Sequence, residues 1–415
     1  MAVADVKLPS RLYLTPALRQ KIVAGVLFLL LCAFTLCTLD GGDIAPFVIS
    51  AAVLLFAAYA LVRAPAEKLR VPLPCLCLLA MALYGAAQTL WFPHKIVYDG
   101  WAGVLFWCTA AAITFIAAQV FANEAVAAQF RLAFAVFGSA VCVLDLLQQA
   151  SHTNKFYWLI QSRFATVSGP FAYWNNFAQL VELFLPVTLW LGLGRRKPQL
   201  AYIGLSALQI AAVIASGSRA GSALVLIELV AFLLLVYSRN RKRSFLAAAG
   251  AVVALTGLLV YAAGFDALLH KFQQKDQLQV RREINRSSME MIRAQPLTGW
   301  GLNTYVPVYR MFAHYDDGTY VNRAHNDWLQ FAAEGGIPFT ALMLVVFAWS
   351  LRPAIRSIWG LGVVAIALHA LVDYPFARFG VCGWYFALLG MLALWREGER
   401  QARSRRSKPL HGVGV

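Results

Sequence analysis

Charge is scarce in this chain. Of its 415 residues 13% are charged and 60% hydrophobic, and long runs carry no charge at all, which excludes a soluble protein built around a single core. Acidic residues are the rarer sign, 20 against 36 basic ones. No stretch reads as a soluble domain of useful size, an internal repeat or a low-complexity linker. The seven cysteines (Cys32, Cys37, Cys75, Cys77, Cys108, Cys142, Cys382) fall within or at the ends of apolar runs. A sulfur there packs as a small hydrophobe, so neither a disulfide framework nor a zinc site is implied. Cys75 and Cys77 stand too close for the common zinc knuckle and have no histidine nearby.

What is present in quantity is apolar sequence. Runs long enough to cross a hydrocarbon core of ~30 Å occur near 22–39, 44–62, 72–92, 101–121, 125–147, 172–193, 199–216, 220–237, 245–263, 332–351, 357–373 and 379–395. The expectation is an all-α polytopic membrane protein of about twelve spans, with residues 1–415 forming one integral membrane domain. The first run has no small-residue cleavage site behind it and reads as a span, not a signal peptide. Most of the Lys and Arg residues fall on one side if the N-terminus is cytoplasmic, so the positive-inside rule assigns both termini to the cytoplasm. The net charge of +16 is then mainly a topology signal, and no nucleic-acid binding is expected. The basic tail after Trp395 is suited to anionic lipid headgroups.

One polar interruption stands out, from 264 to 324, which this topology puts on the periplasmic side. With the residues just beyond, it gathers Lys271, Lys275, Arg281, Arg282, Arg286, Arg293, Arg310, Arg323 and His325. Residues 280–293 have helical periodicity, with Ile284, Ser288 and Met291 on one face and Arg282, Arg286 and Arg293 on the opposite one. Several guanidiniums on one helix suit a multiply charged phosphate group; a helix lying on the membrane with solvated arginines is the bland alternative. Pro296, Gly299 and Gly301 then break the helix. A new helix is expected from Asn322 as its cap to Gly335-Gly336, with His325 in its first turn, where the helix N-terminus disfavours an imidazolium and leaves the ring able to accept a proton. Asp316-Asp317 before Gly318 reads as a turn, with metal binding by the two carboxylates as the lesser alternative.

Other residues fall at span ends on the same side. Arg219, in SGSRAGS, stands beside a helix N-terminus with Ser216 and Ser218 as available caps, an anion site in outline or an arginine reaching the headgroups. Arg163, Asn175 and Asn176 sit at the entrance to the sixth span, and two adjacent amides entering a membrane need partners. Asp373, with Arg378 beyond it, either begins the turn before Pro375 or orients an arginine or histidine.

Taken together, Gly169, Asn175 and Ala178, then SGSRAG, then an arginine followed by MIxxxPLxGxG, then HNDWLQxxxEGG, resemble the bacterial O-antigen ligase and O-antigen polymerase superfamily. The likeness spans about 163–336 plus the Asp373 region. It implies a membrane-embedded, GT-C-like, inverting glycosyltransferase that needs no metal or other cofactor and takes a glycan from undecaprenyl diphosphate at the periplasmic face of the inner membrane. In the ligases the acceptor is a sugar of the lipid A core. The positions that match the family's essential ones are Arg219, Arg281 or Arg282, and His325. The chain departs from the family in having Asn285 or Arg286 where a tryptophan often follows the loop arginine.

On this resemblance the 264–324 loop is expected to cover the active site. Arg219, Arg281, Arg282 and Arg286 would neutralise the diphosphate, His325 would take the acceptor proton, and Arg163, Asn175, Asn176, Asp373 and Arg378 would contact substrate. The compact chain with its single long loop favours a ligase over a polymerase. A transporter is the third reading, set aside because the charge lies at one face instead of in mid-span.

Overall fold

The computed structural model describes residues 15–407, apart from 38, 40–43, 64–68, 92–95, 165, 166, 195, 196, 240–242, 263–277 and 315–319. Lys271, Lys275, Asp316 and Asp317 therefore lie outside the described residues. In lipid every backbone polar group must be satisfied within the segment, and the apolar runs accordingly form helices. These are α1 (Pro16–Cys37), α2 (Ile44–Arg63), α3 (Leu73–Trp91), α4 (Val97–Val120), α5 (Glu124–Ala150), α6 (Trp174–Leu193), α7 (Leu200–Ser216), α8 (Arg219–Arg239) and α9 (Arg243–Ala262). The polar loop supplies α10 (Leu278–Ala294) and the single turn α11 (Tyr305–Tyr309). The chain closes with α12 (Asp327–Ser357), α13 (Leu361–His369), a 3-10 turn at Pro375–Ala377 and α14 (Phe379–Ser407). Among the described residues the strands are a minimal antiparallel hairpin, β1 (Lys155–Phe156) and β2 (Ile160–Gln161), in the connection before α6.

The protein is an all-α, multi-pass membrane protein. Among the described residues nine helices are long and apolar enough to cross a membrane, while α7 and the apolar part of α14 are shorter. The run expected as the eleventh span, 357–373, forms only the nine-residue α13, about 14 Å long. Its apolar residues serve interior packing: Leu361, Val363, Ala365, Ile366 and Ala367 are all buried, and a Cβ at Gly362 would stand 2.5 Å from the Glu182 carbonyl on α6. The helix therefore stops early, and the freed residues turn to bring Asp373 to the site.

Helix α6 is the centre of the bundle. It is buried on nearly every face and packs against α5, α7, α8, α13 and α14. Gly221 lets α8 approach it, since a Cβ there would lie 2.4 Å from that of Ala178. A second group forms around α4, in contact with α1, α2, α3 and α14.

Loop helix α10 follows the expected periodicity. Ile284, Ser288 and Met291 are buried, whereas Arg282, Arg286 and Arg293 are exposed. Its apolar face joins Tyr305, Val308, Tyr309, Ala324 and Ala333 in a small core of its own, and Ser288 Oγ lies 2.7 Å from the Tyr305 hydroxyl.

Helix α12 corrects two expectations. Its cap is Asn326, whose side chain accepts from Leu329 N at 3.1 Å, so Asn322 and His325 precede the helix. Gly335-Gly336 kinks the helix instead of ending it, with Gly336 at φ 69°. The kink frees carbonyls that the PLTGWG segment satisfies: Trp300 N donates to Ala333 O at 3.0 Å and Gly301 N to Glu334 O at 2.9 Å, while Ile337 N donates back to Pro296 O at 2.8 Å. From α3, the Gln88 amide donates to Glu334 O at 2.9 Å and the Tyr84 hydroxyl to Leu297 O at 3.0 Å. The Glu334 carboxylate accepts from Asn303 N at 2.8 Å and from the Gln330 amide at 3.1 Å. Two glycine-bearing stretches that sequence shows only as breakers are thus one interlocked support for the loop.

Candidate active site

The site grows from the turn between α7 and α8. Gly217, at φ 83°, closes α7 in the left-handed region that favours glycine. Ser218 then caps α8, its hydroxyl accepting from Gly221 N at 3.1 Å. Ser216 steadies the turn by accepting from Ser218 N at 3.3 Å. Arg219 is thereby the first residue of α8, half-buried beside the helix N-terminus.

The Ser218 hydroxyl also donates to Asn175 Oδ1 at 2.7 Å. The Asn175 amide nitrogen donates to the Tyr173 hydroxyl at 2.9 Å and to Asp373 Oδ2. Asn176 is buried and turns inward to Gln179, at 2.9 Å. The two amides thus have different tasks: one ties α6, α8 and the Asp373 turn together, and the other stays within α6.

Asp373 is fully buried, and its Oδ1 lies 3.5 Å from His325 Nδ1. That distance brings the charge to the ring without making a well-formed hydrogen bond. Burial works against the Asp373 carboxylate, yet His325, His369 and the Asn175 amide together hold it below the ordinary carboxylate range. His325 sits in the left-handed region at φ 50°, a conformation uncommon for a residue other than glycine. Its ring meets that of Tyr374 edge-on at 5.0 Å, and Tyr374 stacks on Tyr173 at 6.0 Å. What the His325 ring faces is a carboxylate and two aromatics, since it lies outside the first turn of α12.

Arg281 reaches this group from α10, donating to the Tyr173 hydroxyl at 3.4 Å and to Val372 O at 3.2 Å. Its neighbour Arg282 is exposed, as is Arg163 on the segment before α6. Arg286 is exposed too and lies 3.6 Å from Glu290. A hydrogen bond from His314, at 2.6 Å, is the main cause holding the Glu290 carboxyl below its ordinary range, with Arg286 and Arg293 adding to it. Arg378 and Arg323 are half-buried on the other side of Tyr374 and line a cleft of about 680 Å3 with Arg310, Asn303, Phe47 and Phe106. Tyr374 itself lines the cleft, which therefore opens one ring away from His325.

The structure thus brings Arg281, Asn175, Asp373 and His325 into one cluster, with Arg219 beside it at the turn that Ser218 ties to Asn175. Sequence reasoning missed Tyr173, Tyr374 and Ser218 as members. Tyrosines within FAYWNN and VDYP look like interfacial aromatics, and only their mutual stacking across two loops assigns them. Among the described residues no group of three or more His, Cys, Asp or Glu side chains is arranged to hold a metal ion.

One ground of the sequence reading does not hold. Charge is not confined to one face, because Asp145, Glu182, Glu228 and His369 are buried within the bundle. Asp145 is satisfied by the Ser168 hydroxyl and the Gln149 amide, both at 2.6 Å, and anchors the connection before α6.

No curated protein matches the chain. Residues 204–344 match a family model described as O-antigen ligase, a stretch that holds Arg219, Arg281, Arg282, Arg286 and His325 but ends before Asp373 and Arg378, and this match supports the O-antigen ligase and polymerase superfamily for the chain.

Proposed function

We propose that the protein is an O-antigen ligase, transferring a glycan from undecaprenyl diphosphate to a sugar of the lipid A core at the periplasmic face of the inner membrane. The observation that carries the reading is the facing of His325 by the buried Asp373 carboxylate, 3.5 Å away, beside Arg281 and Arg219 in an O-antigen ligase-type segment. Such a pair equips a histidine to accept a proton, since the carboxylate stabilises the imidazolium that forms. Attack by the acceptor hydroxyl on the sugar C1 inverts that carbon, expels the diphosphate and passes the hydroxyl proton to His325. Arg219 and Arg281 neutralise the leaving diphosphate, as planar guanidiniums suit paired phosphate oxygens, with Arg282 and Arg286 available on the exposed face of α10. Fixed positive charge of this kind replaces the divalent metal of many soluble transferases. The cleft bearing Arg310, Arg323 and Arg378 suits the anionic headgroup of one of the two lipid substrates.

A polymerase would use the same donor and machinery, with a second lipid-linked glycan as acceptor. Reconstitution of the purified protein with a lipid-linked glycan and both acceptors separates them. Extension of core lipid A is the expected result; extension of the lipid-linked glycan alone would make the protein a polymerase. Movement of the lipid-linked glycan across the bilayer with no glycosidic bond formed would instead select transport, the reading for which the buried ionisable residues speak.

A further inference from the structure

Three ionisable groups inside the bundle have no part in the chemistry above. Glu182, midway along α6, and His369, the last residue of α13, are both fully buried, and His369 Nδ1 lies 2.7 Å from Glu182 Oε1. Among the described residues Glu182 Oε2 and His369 Nε2 have no hydrogen-bond partner, nor has either carboxyl oxygen of Glu228, buried midway along α8. A buried ion pair seldom adds stability beyond what a well-packed apolar pair would give, and unpartnered buried polar atoms cost more still. Ionisable residues within a membrane bundle therefore point to function.

The pair adjoins the site. Asp373 follows His369 by one helical turn, its N–H donating to the His369 carbonyl at 3.0 Å. Asp373 in turn faces His325. The charged and titratable groups acting on His369 are Glu182 from α6, Asp373 from the following turn and Arg281 from α10, while Glu228 of α8 feels Glu182 but does not act on His369. Asp373 also feels His325 and His369 together.

We propose that His369 and Glu182 are positioning residues for His325, acting through Asp373, so that the series Glu182, His369, Asp373, His325 alternates carboxylate and imidazole from the bundle interior to the site. The proposal rests on the reading of His325 as the base. The interior pair acts on the Asp373 carboxylate through its charge and through the turn that the His369 carbonyl anchors, while the Asn175 amide and Tyr374 N hold that carboxylate facing His325 Nδ1, which leaves Nε2 to face the substrate. In the reaction the acceptor O–H bond breaks and its proton goes to Nε2, the acceptor oxygen bonds to the sugar C1, and the bond from C1 to the phosphate oxygen breaks with its electrons leaving on the diphosphate. The positive charge left on the His325 ring is met by Asp373. Partners one shell removed from a reacting group orient it and tune its basicity, and their loss typically costs about 10–100-fold.

The test is turnover of the purified protein with a lipid-linked glycan and core lipid A, measured across the acid-to-neutral range. His369→Gln and Glu182→Gln are each expected to lower kcat by roughly 10–100-fold, to displace the acid limb of the kcat profile, and to leave the donor KM unchanged. The double variant should be no worse than either single one, because the two act as a unit. Glu182→Asp, which keeps a carboxylate in the bundle, should recover part of the rate, and it carries the test if the glutamine variants do not fold. Glu228→Gln lies outside the series and should leave the limb in place. Folded His369 or Glu182 variants with the wild-type profile, or losses that multiply in the double variant, would overturn the proposal. His325→Ala is run alongside: full turnover in that variant would sink the base reading itself, whereas a His325-dependent limb that ignores His369 would sink only the positioning role.

Discussion

At the scale of single residues, the proposed function divides the site into a proton acceptor and a set of cations, and the two should then fail differently. Loss of the base in His325→Ala should cost about 10²–10⁴ in turnover with donor binding retained. Arg219→Ala removes charge stabilisation on the leaving group and should cost about 10²–10³. Arg219→Lys should rescue only part of this, since an ammonium is a point charge without the two-pronged fork. Donor binding and kcat measured on each folded variant check the division; a His325→Ala protein that loses donor binding but turns over normally at saturation would make His325 a diphosphate ligand. Arg281 and Arg282 give a sharper contrast. Arg281 is half-buried and bonded to Tyr173 and Val372, whereas Arg282 is exposed, so Arg281→Ala should lower kcat by more. Equal losses would mean that substrate draws α10 into another position. If these cations take the role of a metal, as proposed, activity should also survive EDTA; a loss that magnesium restores would return Asp316 and Asp317 to consideration.

At the scale of elements, the loop is held by the interlock between PLTGWG and the kink in α12. A Cβ at Gly336 would stand 2.5 Å from the Leu297 carbonyl, in a backbone conformation of φ 69°. Gly336→Ala should therefore destabilise the protein by about 1–3 kcal/mol and expose the loop to limited proteolysis. Gly257→Ala, in α9, has nothing within 4 Å of the added carbon among the described residues and should be neutral or stabilising by roughly 0.5–1 kcal/mol. Thermal unfolding of the two purified variants separates them, and matched midpoints would show that the kink is not a support. The amphipathic face of α10 and the serine-capped start of α8 were legible in sequence, because both depend on residues within a few positions of one another. The kink was not. A glycine pair announces a break, but whether the chain ends or bends there depends on who accepts the freed carbonyls, and those partners, Trp300, Gly301 and Gln88, lie far off in sequence. The same holds for Asp373: its position was visible and it does serve the turn, while its approach to Asn175 and His325 required α13 to stop at nine residues. That Arg281 and His325 stand near one another was readable from the one polar loop, and the tyrosines between them were not.

At the scale of the whole molecule, the two ends of the bundle carry different kinds of positive charge. At one end Arg239 closes α8 by donating to the carbonyls of Arg356 and Ile355, at 2.9 and 3.4 Å, so the end of α8 and the end of α12 share a side. At the other end, some 32 Å away along the 21 residues of α8, stand Arg219, Arg281, His325 and Asp373. The first end carries Arg239 and Arg356, and we propose from the positive-inside rule that it is the cytoplasmic one. The arginines at the second end run against that bias, which fits groups retained to bind an anion. The expected outcome is that a cysteine at position 286, on the exposed face of α10, reacts with an impermeant thiol reagent added outside intact spheroplasts, while one at position 239 reacts only after lysis. Both are made in a background that replaces Cys37, the exposed native thiol. Labelling of position 239 from outside would invert the protein, put the His325 cluster in the cytoplasm, and require a donor whose diphosphate faces the cytoplasmic leaflet.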